Sequence, residues 1–256
     1  MRIHVTYTGG TIGMVDSPRG LVPGADQESR FDAVLKEAGG SIGSISLTAL
    51  SPLIDSSDAA PESWQRIIDD LRAGASDADA FVVLHGTDTM AHTCAALSYA
   101  LTDLDRPVVV TGSQLPLGAV GSDAAPNIAG ALHAAASRRA RGVSLFFGHR
   151  LLAGNRAVKA SSWAFDAFDS PAAAPLARAG APWRWAPVPP PGPGWPDPRP
   201  YTRQDAVVID LPARAEVSVP AVPTKSTDDI ALPEASDQPR VKRRRRAAST
   251  GIIDAG

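Results

Sequence analysis

Phe81-Val82-Val83-Leu84-His85-Gly86-Thr87-Asp88-Thr89-Met90 decides the fold. Its first four residues are apolar without alternation, the pattern of a strand buried on both faces in a parallel sheet. Polar residues follow at once, and a helix is predicted over 89–101. The same order recurs outward in both directions. Downstream, residues 107–110 read as another buried strand, a polar loop follows, 127–139 form an alanine-rich helix and 142–147 a further strand. Upstream, residues 2–8 alternate, carry the β-branched Ile3, Val5 and Thr6, and run into the Gly9-Gly10 turn. A short helix around 31–38 breaks at Gly39-Gly40, and 45–50 read as a strand. Pro61 opens a helix that carries Trp64, Ile67, Ile68 and Leu71 at helical spacing. Strand, loop and helix alternating in this way predict an α/β fold with an open, mostly parallel sheet and flanking helices.

The 256 residues suffice for one large domain or two small ones. Apolar residues at 44% and charged residues at 20% place the chain among globular proteins. A net charge of −2 argues against a dedicated nucleic-acid role. The single cysteine, Cys94, excludes an intrachain disulfide and a Cys-based zinc site. The apolar run before Gly9 is too short for a signal peptide, and no stretch approaches the roughly 18 residues of a membrane span. A cytoplasmic location without membrane contact is therefore expected.

Proline and charge divide the chain. Seven of the 23 prolines fall in residues 1–170 and sixteen in 171–256, with eight in the twenty-one residues 183–203. Helices and central strands do not tolerate that density. Net charge is −5 over 1–170 and +3 over the remainder. Residues 207–211, Val-Val-Ile-Asp-Leu, read as one more strand, but the 45 residues after it are too few and too polar for another α/β layer. They are expected to be disordered, with Lys242-Arg243-Arg244-Arg245-Arg246 as solvated charge rather than a nucleic-acid patch.

Ligands of open α/β sheets bind at the carboxyl ends of the strands, and three polar clusters fall there. In Thr8-Gly9-Gly10-Thr11-Ile12-Gly13, glycines permit close backbone approach and Thr11 presents a hydroxyl. Taken alone the segment reads as a phosphate-cradling loop or simply a tight turn, and because it lacks both common nucleotide-loop patterns the nucleotide reading is weak. His85-Gly86-Thr87-Asp88-Thr89-Met90 sets two hydroxyls and a carboxylate at a strand–helix junction, where they serve either as helix caps or as functional groups. His85 reads as a structural hydrogen-bonding residue. In Gly154-Asn155-Arg156-Ala157-Val158-Lys159, a lysine stands in a chain with four Lys against 21 Arg. It is either a surface residue or one whose tunable ammonium matters, since Arg does not deprotonate.

Taken together the clusters resemble the bacterial-type L-asparaginases, and the type I cytoplasmic branch of that asparaginase/glutaminase family in particular. The resemblance rests on Tyr7-Thr8-Gly9-Gly10-Thr11-Ile12-Gly13-Met14, Asp55-Ser56-Ser57-Asp58 and the 85–90 hexapeptide. Val110-Thr111-Gly112-Ser113-Gln114-Leu115-Pro116-Leu117 and the 154–159 segment add to it, all in the family's order across about residues 2–176. It implies an asparaginase N-terminal α/β domain over 1–176, a Pro-rich linker over 177–205, and over 206–256 a remnant strand with a basic tail. The family's smaller C-terminal α/β domain is expected to be truncated or absent.

For activity, the resemblance implies hydrolysis of L-asparagine, with L-glutamine as a further substrate, to the acid and ammonia, without a metal or organic cofactor. Thr11 resembles the threonine that attacks the side-chain amide carbon to give an acyl-enzyme. Thr87, Lys159 and Asp88 resemble the second threonine with its lysine–aspartate relay, which meets a hydroxyl's need for an adjacent base. Asp88 would also pair the substrate's α-ammonium, and Ser56, helped by Asp55 and Ser57, would hold its α-carboxylate. Backbone N–H groups near Thr11 and Thr87 would stabilise the oxyanion. Relatives assemble as homo-oligomers through both domains, so a weakened assembly is expected here. One departure lies in the loop after the first motif, where relatives carry an assisting tyrosine and this chain has Leu21, with Asp16 nearby as a substitute. The alternatives are a non-catalytic remnant that binds amino acid without turnover, and a nucleotide-binding module built on Gly9-Gly10.

Overall fold

In the computed structural model, which describes residues 1–187 apart from 26, 41 and 103, the chain enters its main sheet at once. Strand β1 (Arg2–Tyr7) leads through a 3-10 turn (Thr11–Gly13) into an antiparallel hairpin of β2 (Met14–Ser17) and β3 (Gly20–Pro23). There follow α1 (Gln27–Gly39), β4 (Ser44–Ala49), α2 (Pro61–Ala73), β5 (Ala80–Leu84), α3 (Met90–Ala100), β6 (Val108–Thr111), α4 (Ala124–Ala136) and β7 (Val143–Phe147). The short strands β8 (Arg150–Ala153), β9 (Val158–Lys159), β10 (Phe168–Asp169), β11 (Ala177–Arg178) and β12 (Arg184–Trp185) complete the described chain.

The main sheet has the order β12-β11-β8-β7-β6-β5-β1-β4, and β4, β1, β5, β6 and β7 are parallel. Beyond β7 the pairings turn antiparallel. The expected open, mostly parallel sheet with flanking helices is the one observed. The chain leaves β1 for β4 on one side and returns to β5 on the other. A topological switch point therefore lies between β1 and β5, and ligand crevices of open α/β sheets form outside the carboxyl ends of such a pair. The first two polar clusters stand at those two ends.

β5 shows why its run carries no alternation. Ala80, Val82 and Leu84 pack with Phe31 and Leu35 of α1 and with Ile128 and Leu132 of α4. Phe81 and Val83 pack on the opposite face with Ile67 and Leu71 of α2 and with Cys94 and Leu97 of α3. Both faces are dry, so every position is apolar. Cys94 is fully buried, and burial pushes its thiol well above the ordinary range, which makes it a packing group rather than a nucleophile.

Helix α4 begins three residues before the expected 127, with Pro126 in its first turn, where a missing N–H costs nothing. The boundary of the sheet domain also moves. Residues 177–185, expected as the start of a linker, instead supply β11 and β12 to the sheet edge. An aromatic stack fastens them there. Trp183 lies against His133 of α4 at 4.5 Å and Phe146 of β7 at 5.6 Å, and Arg139 sits over Trp185 at 5.0 Å. The expected strand at 207–211, the rest of the linker and the basic tail lie outside the described residues.

Candidate active site

Three loops meet backbone to backbone at the switch point. The Thr8 N–H and hydroxyl both donate to the Leu84 carbonyl, at 2.9 and 3.0 Å, which ties the ends of β1 and β5 together. Gly9 and Gly10 have φ of 133° and 91°, in the region that favours glycine. A Cβ on Gly9 would overlap the Ile54 carbonyl, and one on Gly10 would overlap the Gly86 backbone. A Cβ on Gly86 would in turn strike the Ser56 hydroxyl. These contacts bring Thr11, Ser56 and Thr87, each within two residues of the junction, to one place. Thr11 opens the 3-10 turn and is partly exposed, whereas Ser56 and Thr87 are buried.

Lys159 comes to the same place by a longer route. After β8 the chain turns at Gly154, packed on Ser98 of α3, and β9 then returns along that helix. The Lys159 ammonium donates to Thr87 Oγ1 at 3.0 Å and to Asp88 Oδ1 at 2.8 Å. Its side chain is 21% exposed and that of Asp88 59%, so the cluster opens toward solvent on the carboxylate side. The capping alternative for the hexapeptide does not hold. Thr89, the residue before α3, makes no side-chain cap and donates its hydroxyl to the Ser56 carbonyl at 2.7 Å, while Thr87 and Asp88 turn to Lys159.

Asp55 accepts from the Ser57 N–H at 2.9 Å and the Ser57 hydroxyl at 2.8 Å, and these bonds hold its carboxyl below the ordinary range. It therefore shapes the turn that carries Ser56. His85 is fully buried. Trp64 Nε1–H donates to Thr93 Oγ1, leaving the Thr93 hydroxyl hydrogen for His85 Nε2, both at 3.1 Å. Nδ1 then carries the ring proton and donates to the Gly86 carbonyl at 2.7 Å. Burial pushes the imidazole below its ordinary value, against the opposing pull of that carbonyl, so His85 stays neutral. It braces the peptide that precedes Thr87.

The hairpin after Thr11 sets Asp16 directly across from Leu21, both exposed and on one face. Arg30 of α1 anchors its base, donating to the carbonyls of Gly13 at 3.1 Å and Leu117 at 3.0 Å. The loop after β6 has its own anchor. Asp123 is buried and accepts from the N–H groups of Gln114 and Leu115, and Asn127 bridges the Gly112 carbonyl and the Gly148 N–H. Arg30, Thr93, Asp123 and Asn127 escape sequence reading. Each is an ordinary helix or loop residue whose partner lies outside its own element.

A family model described as Asparaginase, N-terminal, matches residues 2–188. L-asparaginase 1 of Escherichia coli (strain K12) is 47% identical over 179 residues, which are 70% of this chain and 53% of that protein. Among solved structures, L-asparaginase I of Vibrio cholerae O1 biovar eltor is 40% identical with a TM-score of 0.66, over 72% of this chain and 56% of that one. The thermostable L-asparaginase of Thermococcus kodakarensis is 31% identical with a TM-score of 0.61, over 77% and 60%. The chain thus spans about half the length of the curated relatives it matches. Over that half the chain matches the family's N-terminal domain, and the chain belongs to the asparaginase family.

Proposed function

We propose that the chain hydrolyses the side-chain amide of L-asparagine, and of L-glutamine as a second substrate, in the cytoplasm and without a metal or organic cofactor. One observation carries this reading: the Lys159 ammonium bonded at once to Thr87 and Asp88, beside the loop that presents Thr11. Thr11 Oγ attacks the amide carbon and passes its proton toward Thr87 and Lys159. Lys159 accepts it once its ammonium has released a proton to solvent, and Asp88 orients the amine. The tetrahedral oxyanion rests on backbone N–H groups of the two loops, and its collapse expels ammonia, which carries the relayed proton away. Water then attacks the acyl-Thr11 ester with the same base, releasing aspartate. Asp88, half open to solvent, also pairs the α-ammonium, while Ser56, on the turn shaped by Asp55 and Ser57, holds the α-carboxylate.

Ammonia release from asparagine by the chain and its Thr11→Ala variant tests this. Loss of roughly 10³-fold or more is expected, and equal rates would remove Thr11 from the role. The exposed Leu21, where a hydroxyl would assist the nucleophile, favours a second reading, a pocket that binds the amino acid without turning it over. Calorimetric titration with aspartate separates them, since binding with no ammonia release supports the second.

A further inference from the structure

Midway along β1 and β4 a second set of polar side chains is bonded in series. The Ser46 hydroxyl of β4 lies 3.1 Å from His4 Nδ1 of β1, and His4 Nε2 lies 2.9 Å from Asp70 Oδ2 of α2. Thr6 donates to the same carboxylate oxygen at 2.5 Å. Asp70 accepts from Nε2–H, so the neutral ring leaves the Nδ1 lone pair for the Ser46 hydroxyl hydrogen. The order is hydroxyl, imidazole, carboxylate. Burial raises the Asp70 carboxyl, but the bonds from His4 and Thr6 outweigh it and hold it below the ordinary range.

The arrangement is both held and reachable. Ser46 and His4 are register partners, so their side chains leave the same face of the sheet. The Phe81 ring, in a T-shaped contact, and Gly74 confine the imidazole, whose side chain is 12% exposed, while Ser46 is exposed. Beside them lies a cavity of about 390 Å³ lined by Arg2, His4, Ser44, Ser46, Gly74 and Asp77. Among the described residues β4 ends the sheet and pairs with β1 alone. The Ser44 N–H donates to Met1 and the Leu50 N–H to Tyr7. In the two-residue rhythm of that ladder, the N–H of Leu47, the residue after Ser46, faces the open edge.

We propose that Ser46, His4 and Asp70 form a second acyl-transfer site, separate from Thr11, that takes small carboxylic esters. Ser46 Oγ attacks the ester carbonyl as its proton passes to His4 Nδ1, and the outward Leu47 N–H receives the oxyanion. The leaving alcohol takes the proton from Nδ1. Water then cleaves the acyl-Ser46 ester with the same imidazole as base, so the site returns to its starting state with acid and alcohol released.

A fluorophosphonate probe on the full chain, with digestion and mass spectrometry to locate the adduct, tests the assignment. The adduct is expected on Ser46. Hydrolysis of p-nitrophenyl acetate is expected to fall roughly tenfold or more in Ser46→Ala, with an unchanged melting temperature because Ser46 is exposed. Asp70→Asn should fall likewise. An adduct confined to another hydroxyl, or equal ester hydrolysis in the chain and in Ser46→Ala, would overturn the proposal and leave the three residues as a strut between β4, β1 and α2.

Discussion

The two halves of the candidate asparaginase site are built differently. The Thr87 half grows from β5, dry on both faces, and each polar group in it is bonded: Thr87 and Asp88 to Lys159, His85 to Gly86 and Thr93, Thr89 to Ser56. The Thr11 half leaves β1 through glycines into a partly exposed turn and a short hairpin, anchored at its base by Arg30. The difference matches the proposed division of labour. Groups that move a proton must stand at hydrogen-bond distance before the substrate arrives, whereas a nucleophile that admits a substrate needs room to approach it.

The largest effect that bears on this contrast is expected at Lys159. Lys159→Met keeps the aliphatic stem and removes both bonds, so ammonia release should fall by roughly 10²–10⁴-fold. Stability should barely change, because ion pairs this open to solvent are worth about 0–1 kcal/mol. Urea unfolding read beside turnover checks both. A variant that stays active but unfolds more easily would make Lys159 a strut and reverse the reading of the rigid half.

The same contrast explains what was legible beforehand. Residues 81–84 and 108–110 announce themselves because a strand covered on both faces is apolar throughout. The outer strands do not. β11 and β12 have two residues each, too few for any period, and their proline-rich surroundings suggest a linker. What holds them is Trp183 on His133, a contact across fifty residues that no local pattern carries. Of the candidate site residues, Thr11, Thr87, Asp88 and Lys159 could be named because they stand in polar clusters that follow buried strands, whereas Asp55, Ser56 and Ser57 are named through the family resemblance alone. Arg30, Thr93 and Asp123 could not, since an arginine or threonine on a helix, or an aspartate before one, has ordinary uses until the carbonyl, ring nitrogen or N–H it meets is known.

A middle-sized effect tests the looser half. Leu21 is 44% exposed, opposite Asp16, and Leu21→Tyr places a hydroxyl on that face. If turnover is limited there, ammonia release should rise about tenfold, at the low end of what one transition-state hydrogen bond supplies. Asp16→Asn distinguishes the substitute role. A fall in kcat at constant KM would assign the missing assistance to Asp16, and no change would leave the position vacant. If Leu21→Tyr is silent as well, the hairpin does not limit the reaction and the contrast loses its functional meaning.

The smallest effect concerns His85, the brace of the rigid half, and it is read in stability rather than rate. Its folded pKa lies below the unfolded value of 6.5 because burial penalises the charged ring. The sign follows. As pH falls below 6.5, the unfolded chain takes up a proton that the folded chain refuses, so stability present above that value is lost on acidification, by at most about 1.4 kcal/mol per pH unit for one group. Asp55, Asp70 and Asp79, held below their ordinary 3.8, add their own losses only in a more acidic range. The slope of unfolding free energy between pH 6 and 5 therefore contains the His85 contribution without theirs. His85→Asn retains a donor for the Gly86 carbonyl and carries no titrating ring, so its slope in that window should be shallower by up to one proton, whatever its absolute stability. Equal slopes would mean that the ring takes up its proton in place, and that the peptide before Thr87 is not held by a neutral imidazole.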